Sequence, residues 1–97
     1  MSDKKEMEFD ALNILNRVSR ELDLSPELQD MSQKHISRYY SKAPGTPSLP
    51  PVIVASVLYY LSEQMGEPLS VRAVTNACGV STRWFEKKRE EILKKLF

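Results

Sequence analysis

Hydrophobic positions recur every three to four residues along most of the chain, which is the spacing of an α-helix with one buried face. The first such segment predicts a helix from about Glu6 to Asp23. Phe9 and Leu12 fall beside its apolar stripe, where they either widen the buried face or form a small exposed patch, and we favour the wider buried face. The stripe itself consists of Met7, Ala11, Ile14, Leu15, Val18 and Leu22.

A second helix is predicted to begin at Pro26 and to end before Lys42. Ser25 is a suitable N-cap, and Glu27 places a carboxylate at the positive end of the helix dipole. His35 lies on the apolar stripe with no cysteine or second histidine beside it, so we interpret it as a buried, hydrogen-bonded residue rather than a ligand or catalyst. The stripe consists of Leu28, Met31, His35 and Tyr39.

A proline-rich loop precedes the third predicted helix. Residues 43–51 contain four of the six prolines, which excludes a regular helix there. The helix then runs from about Pro51 to Met65, because fifteen residues between a proline pair and Gly66 is a helix length despite the valine-rich composition. It has almost no polar face, so we expect it to be the central helix that the others surround.

Two short segments near the C-terminus predict a helix-turn-helix. Ser70 caps a fourth helix that ends at Cys78, and Gly79 follows it. Ser81 then caps a fifth helix that continues toward Phe97. A turn this tight, with a glycine in it, is typical of a helix-turn-helix. The inward side of the fifth helix is predicted to consist of Phe85, Ile92 and Leu96.

The residues around this turn fit the motif with two departures. Gly79 permits the positive φ that the turn requires, and Val80 is placed to fill the angle between the helices. Thr75 stands where a small alanine would allow the closest approach, and Lys88 stands where a further apolar contact is common. The alternative is an ordinary corner between two helices of an all-α domain. The apolar residues that surround the glycine are Val74, Cys78, Val80 and Phe85.

Composition limits the chain to one domain and excludes several chemistries. With 97 residues, 41% of them hydrophobic and 28% charged, it is predicted to form a single folded core. One cysteine and one histidine cannot build a disulfide or a Cys/His zinc site, and no nucleophile with a base or phosphate-binding glycine loop is present. We therefore expect no enzyme activity, no metal, no cofactor and no small-molecule substrate. The apolar stretch from Leu49 to Leu61 is too short for a membrane span, and we expect an intracellular protein without membrane contact.

The net charge of +1 conceals a strong asymmetry. Residues 1–69 carry 7 basic and 10 acidic side chains, whereas residues 70–97 carry 7 basic and 3 acidic ones. The positive charge therefore coincides with the predicted helix-turn-helix, and any affinity for nucleic acid must be local.

If the motif reads DNA, the first turns of the fifth helix enter the major groove. Arg83 is the candidate base reader, because arginine pairs bidentately with guanine. Glu86, Glu90 and Glu91 oppose DNA binding, and much of this charged run is alternatively a solvated, salt-bridged face, Lys94 and Lys95 above all. The outward residues of these turns are Ser81, Thr82, Arg83, Glu86 and Lys87, and the candidate phosphate contacts are Arg72, Lys87, Lys88 and Arg89.

Trp84 is the only tryptophan of the chain and stands beside Phe85 in the fifth helix. The interpretation we favour is a core anchor. The alternative is a partly exposed contact for a partner, because tryptophan is enriched at the energetic centres of interfaces.

The ordered set of segments resembles one cyclin-like repeat of transcription initiation factor IIB, most closely the second repeat of the archaeal and eukaryotic factor. The segments that carry the resemblance are ELDLSPE (21–27), VIVASVLYYLS (52–62) and SVRAVTNACGVSTRWF (70–85). It extends over roughly residues 9–93, so residues 1–8 are interpreted as a charged lead-in and 9–97 as a single cyclin-like domain.

The resemblance implies an all-α, five-helix cyclin-like fold with a C-terminal helix-turn-helix that contacts promoter DNA alongside TATA-binding protein. It places Arg83 and Glu86 at base-reading positions of the recognition helix. Glu86 departs from the arginine typical of the family; a carboxylate repels phosphate but can accept a hydrogen bond from cytosine. The family carries an N-terminal zinc ribbon that recruits polymerase and two tandem repeats, whereas this chain has neither the cysteines nor the length for them. It is therefore expected to be either an excised repeat or a stand-alone relative that has lost polymerase recruitment.

The sequence therefore predicts a DNA-binding module of a factor of this kind, cytoplasmic if archaeal and nuclear if eukaryotic. The alternative is a protein-interaction module of cyclin-like fold, in transcription, replication or cell-division machinery, with little or no DNA binding. That alternative predicts an exposed apolar patch that includes Trp84, Phe97 or Phe9.

Overall fold

The protein folds into five α-helices, as the hydrophobic pattern predicts. The computed structural model describes residues 3–42 and 47–97, and these residues contain no β-strand. Residues 43–46 of the predicted loop, with Met1 and Ser2, lie outside the described residues. None of the described helices is long and apolar enough to cross a membrane. The helices are α1 Asp3–Glu21, α2 Pro26–Lys42, α3 Pro50–Gln64, α4 Val71–Cys78 and α5 Thr82–Leu96.

Helix α3 is the centre of the fold, as predicted. It packs against all four other helices, and ten of its fifteen residues are buried. Its valines and isoleucine lose only a few tenths of a kcal/mol in helix propensity, whereas burying each side chain contributes about 1.5–3 kcal/mol, so burial decides the conformation. Pro50 and Pro51 form its first turn, where a backbone N–H has no partner within the helix.

Helix α1 covers one side of α3 with the predicted stripe. Ala11, Leu15 and Val18 are completely buried, and the other stripe residues pack at the edge of the core. The helix begins at Asp3, earlier than the predicted start at Glu6, so most of the charged lead-in forms its first turns.

Phe9 lies outside the buried face of α1. Its side chain is 65% exposed, whereas Leu12 packs against the core. The expectation of a wider buried face is therefore correct for Leu12 and wrong for Phe9, because no other helix covers that flank of α1. Phe9 forms a small surface patch with Lys5 and Glu8.

A polar contact joins the turn between α1 and α2 to the turn after α3. The backbone N–H of Leu28 donates to Ser25 Oγ at 3.2 Å, which confirms the predicted N-cap. The same hydroxyl donates to Glu67 Oε2 at 2.8 Å. Asp23 completes the turn with a φ of 53°, and Gly66 has a φ of 74°. The two turns are thus held together at one end of the bundle.

The C-terminal residue packs across α2 and α3. The Phe97 ring stacks on His35 with centroids 5.0 Å apart and lies 4.5 Å from the Tyr60 ring. His35 Nδ1 is 2.9 Å from the Met31 carbonyl oxygen, the geometry of a hydrogen bond that the ring donates within its own helix. The predicted hydrogen bond is present, but His35 is half-buried rather than buried.

Cys78 is a buried free thiol at the end of α4, only 3% exposed. Burial raises the pKa of the thiol to about 12; nearby Arg17 lowers it slightly, and Glu21 raises it. Because the thiolate is the reactive form of cysteine, both burial and protonation protect this side chain.

We expect native Cys78 to react with Ellman's reagent at pH 8 more slowly than the urea-unfolded chain, by roughly a hundredfold or more, since α4 must open first. The native pKa lies above the unfolded value of about 8.5, so the unfolded chain releases the proton first. Below that pH the thiol adds no pH dependence to stability; above it, stability falls as pH rises. Stopped-flow absorbance and urea titrations between pH 7 and 10 measure both effects. Equal labelling rates for the native and unfolded protein would contradict the buried placement.

Candidate functional site

The turn between α4 and α5 is closed by local hydrogen bonds at both helix ends. Gly79 has a φ of 76° and a ψ of 35°, in the left-handed region that favours glycine. The backbone N–H groups of Gly79 and Val80 both donate to the Thr75 carbonyl at 2.9 Å. The Ser81 hydroxyl accepts from the Trp84 N–H at 3.1 Å and begins the next helix. The predicted glycine conformation and the Ser81 cap are confirmed, as is the Ser70 cap of α4.

Side chains on three sides fix this turn to the body of the protein. Phe85 is completely buried and meets the Tyr59 ring of α3 edge-on, with centroids 5.6 Å apart. Val80 is half-buried against the core. From α1, Arg17 Nη2 donates to the Ala77 carbonyl at 2.8 Å, near the end of α4. The first turns of α5 are therefore held rigidly relative to α3. The predicted inward residues of α5, Phe85, Ile92 and Leu96, are all buried.

Both sequence departures from the motif are accommodated. Thr75 is buried, and its hydroxyl donates to the Val71 carbonyl at 2.8 Å, so this hydroxyl is not left without a partner. Lys88 is half-buried along its stem. Its ammonium lies 5.1 Å from the centroid of the Trp84 ring. An apolar side chain is therefore not needed at that position.

Two basic residues form the outward face of α5. Arg83 and Lys87 are four positions apart on the helix, so they lie on one face, and both are exposed. Within residues 3–42 and 47–97, no carboxylate lies within ion-pair distance of either one or of Arg72. We call this surface the Arg83–Lys87 face. Of the predicted DNA-contacting residues, those that are exposed are Arg72, Ser81, Thr82, Arg83, Glu86 and Lys87.

Ion pairs partly neutralise two of the three carboxylates of α5, whereas Glu90 has no cation within ion-pair distance among the described residues. Glu86 Oε1 is 3.2 Å from Arg89 Nε, and Glu91 Oε1 is 3.9 Å from Lys88 Nζ. The Arg89 guanidinium also lies 5.7 Å from the Tyr59 ring, toward α3. Arg89 is therefore occupied by neighbours within the protein, as the salt-bridged interpretation of this helix predicts.

Trp84 is on the surface rather than in the core. Its side chain is 39% exposed, so the favoured interpretation as a core anchor is wrong. The reason is its place on α5: it directly precedes the inward Phe85, about 100° around the helix, where the start of α3 covers it only in part. It lines an open groove of about 230 Å³ together with Leu49, Pro51 and Val80, which we call the Trp84 groove.

Leu49 is the residue of this groove that the sequence did not reveal. It immediately precedes α3 and is 64% exposed, with no side-chain hydrogen bond at this helix start. A large apolar residue between Ser48 and a proline pair, where a polar cap is usual, is the signal that could have identified it.

No metal-ligand cluster of three or more His, Cys, Asp or Glu side chains occurs in the described part of the chain. Comparisons of the chain with models of protein families, with curated proteins and with solved structures returned no significant match. The resemblance to transcription initiation factor IIB therefore remains a hypothesis.

The turn allows a test of how much the left-handed glycine contributes. A Cβ added at Gly79 would meet no atom within 4 Å, so Gly79→Ala strains only the backbone. We expect it to lower the free energy of unfolding by about 1–2 kcal/mol, and Gly79→Asn to lower it less. Urea denaturation monitored by circular dichroism measures both.

Gly66→Ala is the matched control, because Gly66 has a φ of 74° and equally open surroundings. The two alanine variants should be destabilised alike. A much larger loss at Gly79 would show that steric contacts, rather than φ alone, hold the α4–α5 turn.

Proposed function

We propose that this protein is a DNA-binding module of the transcription initiation factor IIB type. In this proposal the five helices form a cyclin-like body, and α4 and α5 act as its helix-turn-helix on promoter DNA, together with TATA-binding protein. Support comes from the five helices around a central α3, the closed glycine turn and the two serine caps at the predicted positions.

The observation that carries the proposal is the Arg83–Lys87 face. It combines two exposed cations near the N-terminus of a rigidly fixed helix, where the helix dipole adds partial positive charge. Exposed cations without acidic partners can exchange counterions for phosphates without first breaking an ion pair. A helix-turn-helix reads bases with the N-terminal residues of its second helix.

Each residue has a separate part in the proposal. Arg83 reads a base, with guanine as the expected partner. Lys87, Lys88 and Arg72 contact phosphates and set the register without reading sequence. Ser81 and Thr82 lie at the helix start, where backbone N–H groups and hydroxyls can also bind a phosphate.

Glu86 is less unfavourable than its sequence position suggests. Its pair with Arg89 at 3.2 Å partly offsets the carboxylate charge that repels phosphate. A carboxylate here can accept a hydrogen bond from the amino group of cytosine. We therefore propose altered base preference at this position.

The distribution of charge orients the protein on DNA. The first 69 residues have three more acidic than basic side chains, whereas residues 70–97 have four more basic than acidic ones. The acidic body is repelled by the phosphate backbone, so the α4–α5 end is presented to the duplex.

Arg83→Ala and Lys87→Ala separate base reading from phosphate binding. We expect Arg83→Ala to weaken binding to the preferred duplex by about 1–3 kcal/mol and to relax base preference. Lys87→Ala should weaken binding to all duplexes alike and reduce the steepness of log affinity against log salt by about 1. Fluorescence anisotropy with AT-rich promoter duplexes, with and without TATA-binding protein, measures both across a salt series.

Lys34→Ala is the matched control, because it removes one exposed positive charge from α2, where Lys34 pairs with Asp30 at 3.3 Å. It should leave DNA binding unchanged. Absence of binding at low salt, or affinity independent of salt, would contradict the proposal.

Glu86→Arg tests whether position 86 faces the groove. We expect stronger DNA binding, because the substitution removes a negative charge and adds the side chain that is most often used to read guanine. Glu63→Arg makes the same change of charge at an exposed position near the end of α3 and should have little effect. Equal gains from the two variants would indicate nonspecific electrostatics.

A further inference from the structure

The Trp84 groove is an exposed apolar surface beside the Arg83–Lys87 face. Successive residues turn by about 100° around a helix, so Trp84 lies on the flank of α5 that meets the start of α3. Leu49 and Val80 supply aliphatic walls, and Leu49 is 64% exposed. An exposed tryptophan and leucine that share one groove mark an interaction site more strongly than a single exposed apolar residue.

The size of the groove indicates what it can hold. Its volume of about 230 Å³ is below the roughly 300–1,000 Å³ typical of small-molecule pockets. One large aromatic or aliphatic side chain is a better match, anchored in the groove while the rest of its chain lies outside.

Two lysine side chains lie beside Trp84, the aromatic wall of the groove. The ammonium groups of Lys87 and Lys88 lie 5.6 Å and 5.1 Å from the centroid of the Trp84 ring. Among the described residues, Glu91 is the one carboxylate within ion-pair distance of either ammonium, at 3.9 Å from Lys88. This is the top of the distance range for an ion pair, and the exposed Glu91 carboxylate is screened by water. A ligand that brings its own carboxylates would find two cations fixed above the ring.

We propose that the Trp84 groove binds an acidic protein segment that inserts one large apolar side chain between Leu49 and Trp84. Carboxylates on either side of that anchor pair with Lys87 and Lys88. The aliphatic walls favour a protein side chain over a nucleic-acid base, and the two lysines select an acidic segment. Tryptophan enclosed by such contacts is the commonest centre of binding energy at interfaces. The inference does not rest on the proposed DNA binding, although Lys87 and Lys88 serve in both proposals.

Trp84 itself reports occupancy, because it is the only tryptophan of the chain. The probe is a synthetic peptide of about twelve residues without tryptophan, with a central phenylalanine flanked by glutamates and aspartates. We expect a saturable blue shift of the Trp84 emission at physiological salt. A peptide with alanine in place of phenylalanine, and one with lysines in place of the acids, should each bind at least tenfold more weakly.

Variants of the full chain locate the site. Leu49→Ser retains the Trp84 fluorophore and removes an exposed wall of the groove. We expect it to weaken binding of the acidic phenylalanine peptide about tenfold, and we expect the same effect from Lys88→Gln. Phe9→Ser removes a comparably exposed apolar residue from α1 and is the matched control. Arg83→Ala should leave peptide binding unchanged, which separates this site from DNA binding. Circular dichroism verifies that each variant is folded.

Three results would overturn the proposal. Equal affinity for the alanine peptide and the phenylalanine peptide would show that charge alone attracts the peptide. A blue shift that depends on protein concentration without peptide, and disappears in Phe9→Ser, would make a second copy of the chain the occupant. If duplex DNA shifts the Trp84 emission and Leu49→Ser abolishes that shift, the groove belongs to the DNA site.

Discussion

The burial of α3 is the constraint on which the rest of the structure depends. A fifteen-residue helix with ten buried positions, two of them serines, cannot be covered from one side. The other four helices therefore each contribute one apolar face to α3 and leave their polar faces to water. Because one helix supplies contacts to every other, the chain forms a single core with one cysteine and no disulfide.

This arrangement separates the residues that stabilise α5 from those available for binding. Helix α4 has only eight residues and would be unstable alone, so it depends on its caps, on the Arg17 hydrogen bond to Ala77 and on contact with α3. Helix α5 is fixed by Phe85 and the other inward residues. Arg83, Lys87 and Trp84 contribute little to the core. Their chemistry can therefore serve a ligand without a loss of stability.

The sequence predicts features that depend on residues adjacent in the chain. It does not predict whether another helix buries a given side chain. The serine caps and the left-handed Gly79 depend on a few adjacent residues, and the Glu86–Arg89 pair follows from helical spacing. Phe9 and Trp84 lie at the edges of apolar stripes, where periodicity does not say whether another helix extends far enough to bury them. The Trp84 groove also required knowing that the segment before α3 lies against the α4–α5 turn.

Lys87 belongs to both proposed binding surfaces. It is four residues from Arg83 on the outward face, and its ammonium lies 5.6 Å from the Trp84 ring at the groove. One ammonium cannot pair fully with a phosphate and with a carboxylate of a peptide, and an acidic segment in the groove also brings negative charge close to the DNA backbone. The two proposed ligands therefore oppose each other. Because such coupling is reciprocal, bound DNA must lower the affinity for the acidic segment by the same factor by which the bound segment lowers the affinity for DNA. If both proposals hold, the closeness of Trp84 to Lys87 couples a protein partner on α5 to the contact with DNA.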